Sequence, residues 1–513
     1  MIRPRLGFRD AVEDLVSDGQ GKLSDLSGCN RRVEGRLQPR NVCDVIRIVK
    51  AARKHGVKLQ AFSCGKNWGF GSSLPTNDGC WLVDLSKMDR IGEIDSTGVA
   101  SLEPGVTQAD LYRALMENGN KWFFNITGAG QSTSVLGNAL ERGIGYYGQR
   151  QYDLLELQVV TGTGDVLWTR LARDEAGTSG ASIGADLTQL FCQSNWGIVV
   201  AARIRLLSRT NGGGVVIARL KEGKSAVELF QRVLNLKLEG CIGGVPHIGN
   251  RERIISTMAP WLPSELATRF ADRAPAWTAA LPLMGCRPLV EAAVGVIQEK
   301  LGDSCDLEVI VGAENLDVEK SNPSPVEQLQ HLACGFPSNL ALPGVQWSAF
   351  GQADLSVVDP EKTAAGLIHI TPALRSCPTE IEKTVELVRQ SGDSLGLPSL
   401  AITVNIVDSL TTVLVLSIPF HRKDSAIVQG HARALLNVLR KAGIGFYRMG
   451  LIQGSNLRVA SKAARQIQRR LRKAFDPHGI FAPSRYDGLF ADASCHESEP
   501  PRRTRASSTL STV

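Results

Sequence analysis

Along "PRNVCDVIRIVKAARKHG", residues 39–56, the apolar positions Val42, Val45, Ile46, Val49 and Ala52 recur at three- and four-residue spacing, which predicts an amphipathic helix. Asn41 supplies the N-cap oxygen and Gly56 the stop. The period then changes: "VKLQAFS" alternates like a strand, "CWLVDLS" and "VASLEPGVT" read as further strands, and "QADLYRALMENG" returns to a helix closed by Gly119. Between the first two strands lies "SCGKNWGFGSSLP", residues 63–75. Glycines this dense suggest a backbone closing around an anion. The loop joins strand to strand, however, and a phosphate loop or Rossmann turn needs a helix after it. Lys66 also follows Gly65 directly, and Asn67 stands where a phosphate loop has Ser or Thr.

The formal dinucleotide pattern "GIGYYG", residues 143–148, follows the helix-like "SVLGNALER" and leads into the strand-like "LLELQVV". That order is the reverse of what a nicotinamide site requires, so the motif is rejected. From about residue 215 strands and helices alternate, in "GGGVVIARL", "GKSAVELFQRVLNLKLEG", "LAITVNIV", "TTVLVLSIPF" and "SAIVQGHARALLNVLRKAG". This predicts an antiparallel sheet with helices on one face, in a second domain opened by the Gly-rich "TNGGGV".

Composition narrows the class only a little. At 513 residues, 43% hydrophobic and 21% charged, the chain suits two or three soluble domains. The net charge of +7 is spread along it, apart from "SKAARQIQRRLRKAF" and "PPRRTR"; a solvated helix face and a loose end explain these better than nucleic acid does. Eleven cysteines without a CxxC pair, no signal-like start and no apolar run long enough to span a bilayer predict a cytoplasmic protein with free thiols and no membrane role. The segment 491–513, poor in bulky apolar residues, reads as a disordered tail. The histidines form no metal-ligand cluster, and no metal is expected.

Taken in order, "SCGKNWGFGSSLP", "LEPGVT", "SVLGNALERGIGY", "LLELQVVTGTGDVLWT", "LFCQSNWGIVV", "FYR" and "DPHGIFAPSR" resemble the vanillyl-alcohol oxidase and p-cresol methylhydroxylase family of flavoproteins. The match spans most of 36–210 and resumes near 440–488. The resemblance implies an α+β fold: a two-subdomain FAD-binding domain over 1–214, a cap domain over 215–445 and a return to the first domain over 446–490. It also names the anion of the glycine loop as the FAD pyrophosphate. Ser63, Cys64, Gly65, Lys66, Asn67, Trp68, Gly69, Phe70 and Gly71 then form one wall of the cofactor site. Pro104, Gly105, Ser134, Gly137, Asn138, Gly197, Ile198 and Arg485 complete it.

For chemistry, the resemblance assigns Tyr146, Tyr447 and Arg448 to hold a phenolic oxygen as phenolate. Removing hydride from the benzylic carbon para to a phenolate leaves a neutral quinone methide, so stabilising the phenolate makes the hydride available to the flavin. Four positions depart from the family pattern. Phe70 replaces a third tyrosine, Ala129 stands where an aspartate approaches the flavin, and Leu367 replaces the flavin-linking histidine, which implies non-covalent FAD. His369, on the same strand face as Leu367, replaces an apolar cavity residue. It is either a satisfied structural group or a base titrating near neutrality.

The expected activity is FAD-dependent oxidation of a para-substituted phenol or related small aromatic alcohol, with dioxygen or another redox partner as acceptor. A non-phenolic hydroxyl compound is the alternative substrate, and a flavin-free or basic binding protein on this scaffold is the rival class. Monomer and homodimer are both left open.

Overall fold

The computed structural model describes residues 3–17, 19–170, 184–210, 212–312, 324–398, 400–452, 461–483 and 485–486; the expected tail lies outside them. The first long helix, Val42–His55, ends where its sequence dictates. Asp44 N–H donates to the Asn41 side chain at 3.0 Å, and Gly56 closes the helix with φ 66°. The helix packs with Leu59, Trp81 and Val83 of a mixed sheet. In that sheet Leu59–Phe62 and Asn30–Leu37 both run parallel to Cys80–Asp84. The glycine loop therefore leaves one parallel strand and, as expected, reaches the next without an intervening α-helix.

A second sheet is antiparallel, in the order Val166–Trp168, Leu154–Thr161, Gly197–Arg205, Val99–Leu102, Ile91–Ile94. Helices Gln108–Glu117 and Val135–Leu140 share its core. Late in the chain, Leu59 N–H donates to the Ile480 carbonyl at 2.8 Å, and Phe481 bridges Leu59, so the chain returns to the first sheet. The basic run forms helix Lys462–Phe475, whose Leu471 and Phe475 pack against the second core. A packed amphipathic helix accounts for that run.

Nine antiparallel strands build the third sheet, from Gly214–Leu220 to Gly445–Phe446. Its alternation is strict. Val216, Ala218, Ile248, Ile402, Val404, Leu414, Leu416 and Ile418 share one core with helices Ala226–Leu238, Pro378–Ser394 and Ser425–Lys441. Ile402, Leu416 and Ile418 have no exposed surface, and burial of each such side chain contributes about 1.5–3 kcal/mol. The residues between them point the other way, over a cavity.

Candidate active site

The cavity face of the nine-stranded sheet carries Ile217, His247, Thr403, Asn405, Val415, Ser417, Leu367, His369 and Thr371. Together with the glycine loop and the segment around Ala129, they enclose about 580 Å³. A second cavity of about 160 Å³ runs in between the first and second sheets, and Lys66, Asn67, Asn138 and Arg448 line both. Among the described residues no group of histidine, cysteine, aspartate and glutamate is placed to hold a metal.

The smaller cavity gathers Ser63, Cys64, Gly65, Lys66, Asn67, Pro104, Ser134, Gly137, Asn138, Gly197, Ile198 and Arg485 from well-separated segments. Gly137 is needed for space: a Cβ there would lie 2.5 Å from Ser63 Oγ. Several buried polar atoms on this channel have no partner among the described residues, including Asn67 Nδ2, Asn138 Oδ1 and Arg485 Nη1. A channel of glycine backbone and unsatisfied polar groups fits a long phosphate-bearing cofactor.

Within the loop, Gly65, Gly69 and Gly71 have φ of 69°, 74° and 115°. Gly69 and Gly71, however, meet side chains of later segments and do not line the smaller cavity. A Cβ on Gly69 would lie 2.5 Å from His369 Cδ2, and one on Gly71 would lie 2.5 Å from Leu451 Cγ. Phe70 and Ser72 N–H both donate to the Asn67 carbonyl at 3.1 Å, so the loop's own turn consumes two donors. Gly105 needs its hydrogen for a different contact, against the Ser86 and Met88 carbonyls. Lys66 pairs with Asp359 of the cap at 2.5 Å and lies over Trp68; its charge ties loop to cap.

Tyr146, Tyr447 and Arg448 all line the larger cavity. Thr371 positions the last two: Tyr447 N–H donates to its carbonyl at 2.8 Å and Arg448 N–H to its Oγ1 at 3.1 Å. Arg448 Nη2 donates to Asn67 Oδ1 at 2.8 Å, and its guanidinium sits 4.2 Å from the Phe70 ring centre. The residue that replaces a tyrosine thus supplies a cation–π face. Arg448 Nε and the Tyr447 hydroxyl are buried without partners among the described residues. Burial lowers the Arg448 pKa and raises those of Tyr146 and Tyr447, with the Arg448 charge opposing the rise at Tyr447. Tyr146 also packs on His247 at 4.6 Å between ring centres.

His369 faces the cavity beside Leu367, as strand alternation requires. Its Nδ1 lies 3.0 Å from Ser417 Oγ on the paired strand, and its ring is 5.3 Å from that of Phe70. Burial, then the charges of Arg253 and Arg448, push its pKa down to about 3. The ring is therefore neutral at pH 7 rather than poised to titrate there.

Arg253, Ser417 and Thr371 are members of this site that sequence reasoning did not single out. Arg253 lies in the first turn of helix Arg251–Met258, which Asn250 caps by accepting from Arg253 N–H at 3.0 Å. Its guanidinium donates to Ser417 Oγ. One signal was available for Ser417: it is a lone hydroxyl within the apolar run "VLVLSIPF", and a polar residue in a buried strand marks the face that meets a cavity or a partner. Nothing local distinguishes Arg253 from any exposed helix arginine.

Residues 33–170 match a family described as FAD binding domain. The chain is 27% identical over 496 residues to 1'-carboxy-chondrochloren decarboxylase of Chondromyces crocatus, across 89% of this chain and 91% of that relative. It is 31% identical over 162 residues to the flavoprotein subunit of 4-cresol dehydrogenase (hydroxylating) of Pseudomonas putida, across 29% and 30% of the two chains. Among solved structures, p-cresol methylhydroxylase with substrate bound superposes with a TM-score of 0.81 at 19% identity, over 94% of this chain and 96% of that one. A 4-ethylphenol oxidase from Gulosibacter chungangensis gives 0.78 at 20% identity over the same shares. These two likenesses establish the architecture. Among the described residues no helix is long and apolar enough to cross a membrane.

Proposed function

We propose that this chain, an FAD-linked oxidoreductase of the vanillyl-alcohol oxidase and p-cresol methylhydroxylase family, removes hydride from the benzylic carbon of a small para-substituted phenol. FAD, when bound, supplies the hydride acceptor. Ser63 to Asn67, Ser134, Gly137, Asn138, Gly197 and Arg485 would hold it along the smaller cavity. With Leu367 apolar and packed on Leu26 and Trp68, the hold is non-covalent. The observation that carries the reading is the pair of donors without a partner among the described residues, Tyr447 Oη and Arg448 Nε, both buried against the larger cavity, with Arg448 also lining the smaller one. Leaving a buried donor unpaired costs about 1–3 kcal/mol, a cost that a bound phenolate removes. Tyr146 adds a hydroxyl from the loop opposite.

The test is anaerobic mixing of the flavin-loaded protein with 4-substituted phenols and with their methyl ethers, followed by flavin absorbance. Phenols should bleach the flavin and ethers should not. Equal bleaching by both would replace the phenol with a non-phenolic hydroxyl compound. Dioxygen or a separate redox partner then completes the cycle.

A second reading is that hydride removal is coupled to loss of carbon dioxide. It is supported by the decarboxylase similar to this chain over most of its length and by the absence of any acidic side chain among the described residues lining the larger cavity. If the carbon next to the benzylic one bears a carboxylate, the C–CO2 bond breaks after hydride has left. Its electron pair returns to the ring, CO2 departs, and an alkene conjugated to the phenolate remains.

A further inference from the structure

We propose that Arg253, held by Ser417 on the cap side of the larger cavity, is a carboxylate seat, so that the substrate is anionic at the end remote from its phenolic oxygen. The inference deepens the proposed function and rests on the same cavity.

Lys66 is paired with Asp359 and Arg219 with Glu308, while Arg273 is exposed. Arg253 and Arg448 remain, and among the described residues neither has a carboxylate within ion-pair distance. Both charges act on His369, which lies between them in the sequence of contacts from Arg448 through Phe70 and His369 to Ser417 and Arg253. Burying a cation without a carboxylate in contact is costly. A phenolate satisfies Arg448. Arg253 then still lacks an anion.

The geometry of Arg253 suits that role. Its guanidinium makes bonds to two neutral acceptors, Ser417 Oγ and, at 3.5 Å, the Ala401 carbonyl. Its Nε is buried without a partner among the described residues, and burial lowers its pKa to about 10, still charged at neutral pH. Gly249 makes room for it, since a Cβ there would lie 2.9 Å from Arg253 Cγ. Asn250 fixes the helix start from both sides, accepting from Ile402 N–H at 2.8 Å and donating to the Leu400 carbonyl at 2.9 Å. The side chain is thus fixed by its backbone, with unused donors facing the cavity. A planar guanidinium is the group best matched to a carboxylate.

The test measures binding rather than turnover. Anaerobic calorimetric titration of the flavin-loaded protein, its flavin first reduced with dithionite so that no hydride can be taken, compares 3-(4-hydroxyphenyl)propanoate with its primary amide, which has the same shape and no charge. The acid should bind about tenfold to a hundredfold more tightly, the range for one charged hydrogen-bonded contact. Arg253→Gln should erase that preference, and Arg253→Lys should restore part of it. Circular dichroism and flavin content identify variants that have lost the fold; if Arg253→Gln is one of them, Gly249→Ala, which crowds the Arg253 stem, takes its place. Equal binding of acid and amide by the parent, or an undiminished preference in Arg253→Gln, overturns the proposal. The phenolic reading is tested separately by repeating the pair as 3-phenylpropanoate and 3-phenylpropanamide. A preference kept there, with no dependence on the ring hydroxyl, retains the carboxylate seat and removes the phenol.

Discussion

Replacing Arg448 with alanine is the sharpest perturbation of the proposed chemistry. In the native protein the guanidinium is fixed on three sides: by Asn67 at 2.8 Å, by the Phe70 face at 4.2 Å, and through the main-chain bond to Thr371 at 3.1 Å. It is oriented before substrate arrives, so the stabilisation of a phenolate is realised without reorganisation. Loss of one such preorganised contact is worth about a hundredfold to a thousandfold in rate, or about 3–4 kcal/mol. Arg448→Lys keeps the charge but loses the planar guanidinium that Asn67 orients and much of the stacking, and should recover only part of that. The assay is stopped-flow reduction of the flavin without oxygen, normalised to bound flavin, across pH. A free phenol ionises near pH ~10, so the alanine variant should accelerate as pH rises toward that value, while the parent reaches its plateau at lower pH. A near-parental rate at pH 7 in a flavin-replete alanine variant would refute the phenolate argument.

Other outcomes follow from the same geometry. Gly69→Val should yield protein with little bound FAD, because φ of 74° and the contact with His369 both exclude a branched side chain; a normal flavin-to-protein absorbance ratio would contradict this. Acid precipitation should leave a colourless pellet and a yellow supernatant, since neither Leu367 nor residues 63–71 offer a histidine tether; persistent colour in the washed pellet would show a covalent bond. His369 has a folded pKa of about 3 against an ordinary 6.5, so the unfolded chain binds the extra proton between those values. Its contribution to stability is therefore intact above about pH 6.5 and is lost on acidification, reaching about 2 kcal/mol of destabilisation by pH 5. His369→Gln should shrink the drop in denaturation midpoint between pH 7 and pH 5, and an unchanged drop would mean that the ring is not buried as described. Leu416→Ala, at a position without exposed surface, should cost about 2–5 kcal/mol in chemical denaturation; a loss below about 1 kcal/mol would mean that this face of the sheet is not packed as described.

Several features of this protein are local and were legible along the chain. Asn41 and Gly56 end their helix because capping needs only a side-chain oxygen and a left-handed residue a few positions away. The glycine loop could be distinguished from a phosphate loop because strand, loop, strand is an order readable without a third dimension. Alternation placed Leu367 and His369 on one face for the same reason, since side chains on a strand repeat every second residue. What they face is a different kind of fact. Lys66 meets Asp359 and Arg448 meets Asn67 across hundreds of residues, and no local pattern encodes such pairs. The same holds for His369: its residue type suggested a titration near neutrality, but burial and two arginines from distant segments set its pKa. Arg253 in "NRERIIS" reads as an ordinary surface residue of a short helix until folding carries Ser417 beneath it. Backbone propensity and side-chain period act over a few residues and survive in the sequence, whereas desolvation and Coulomb forces act through space, and only the tertiary structure decides which groups they join.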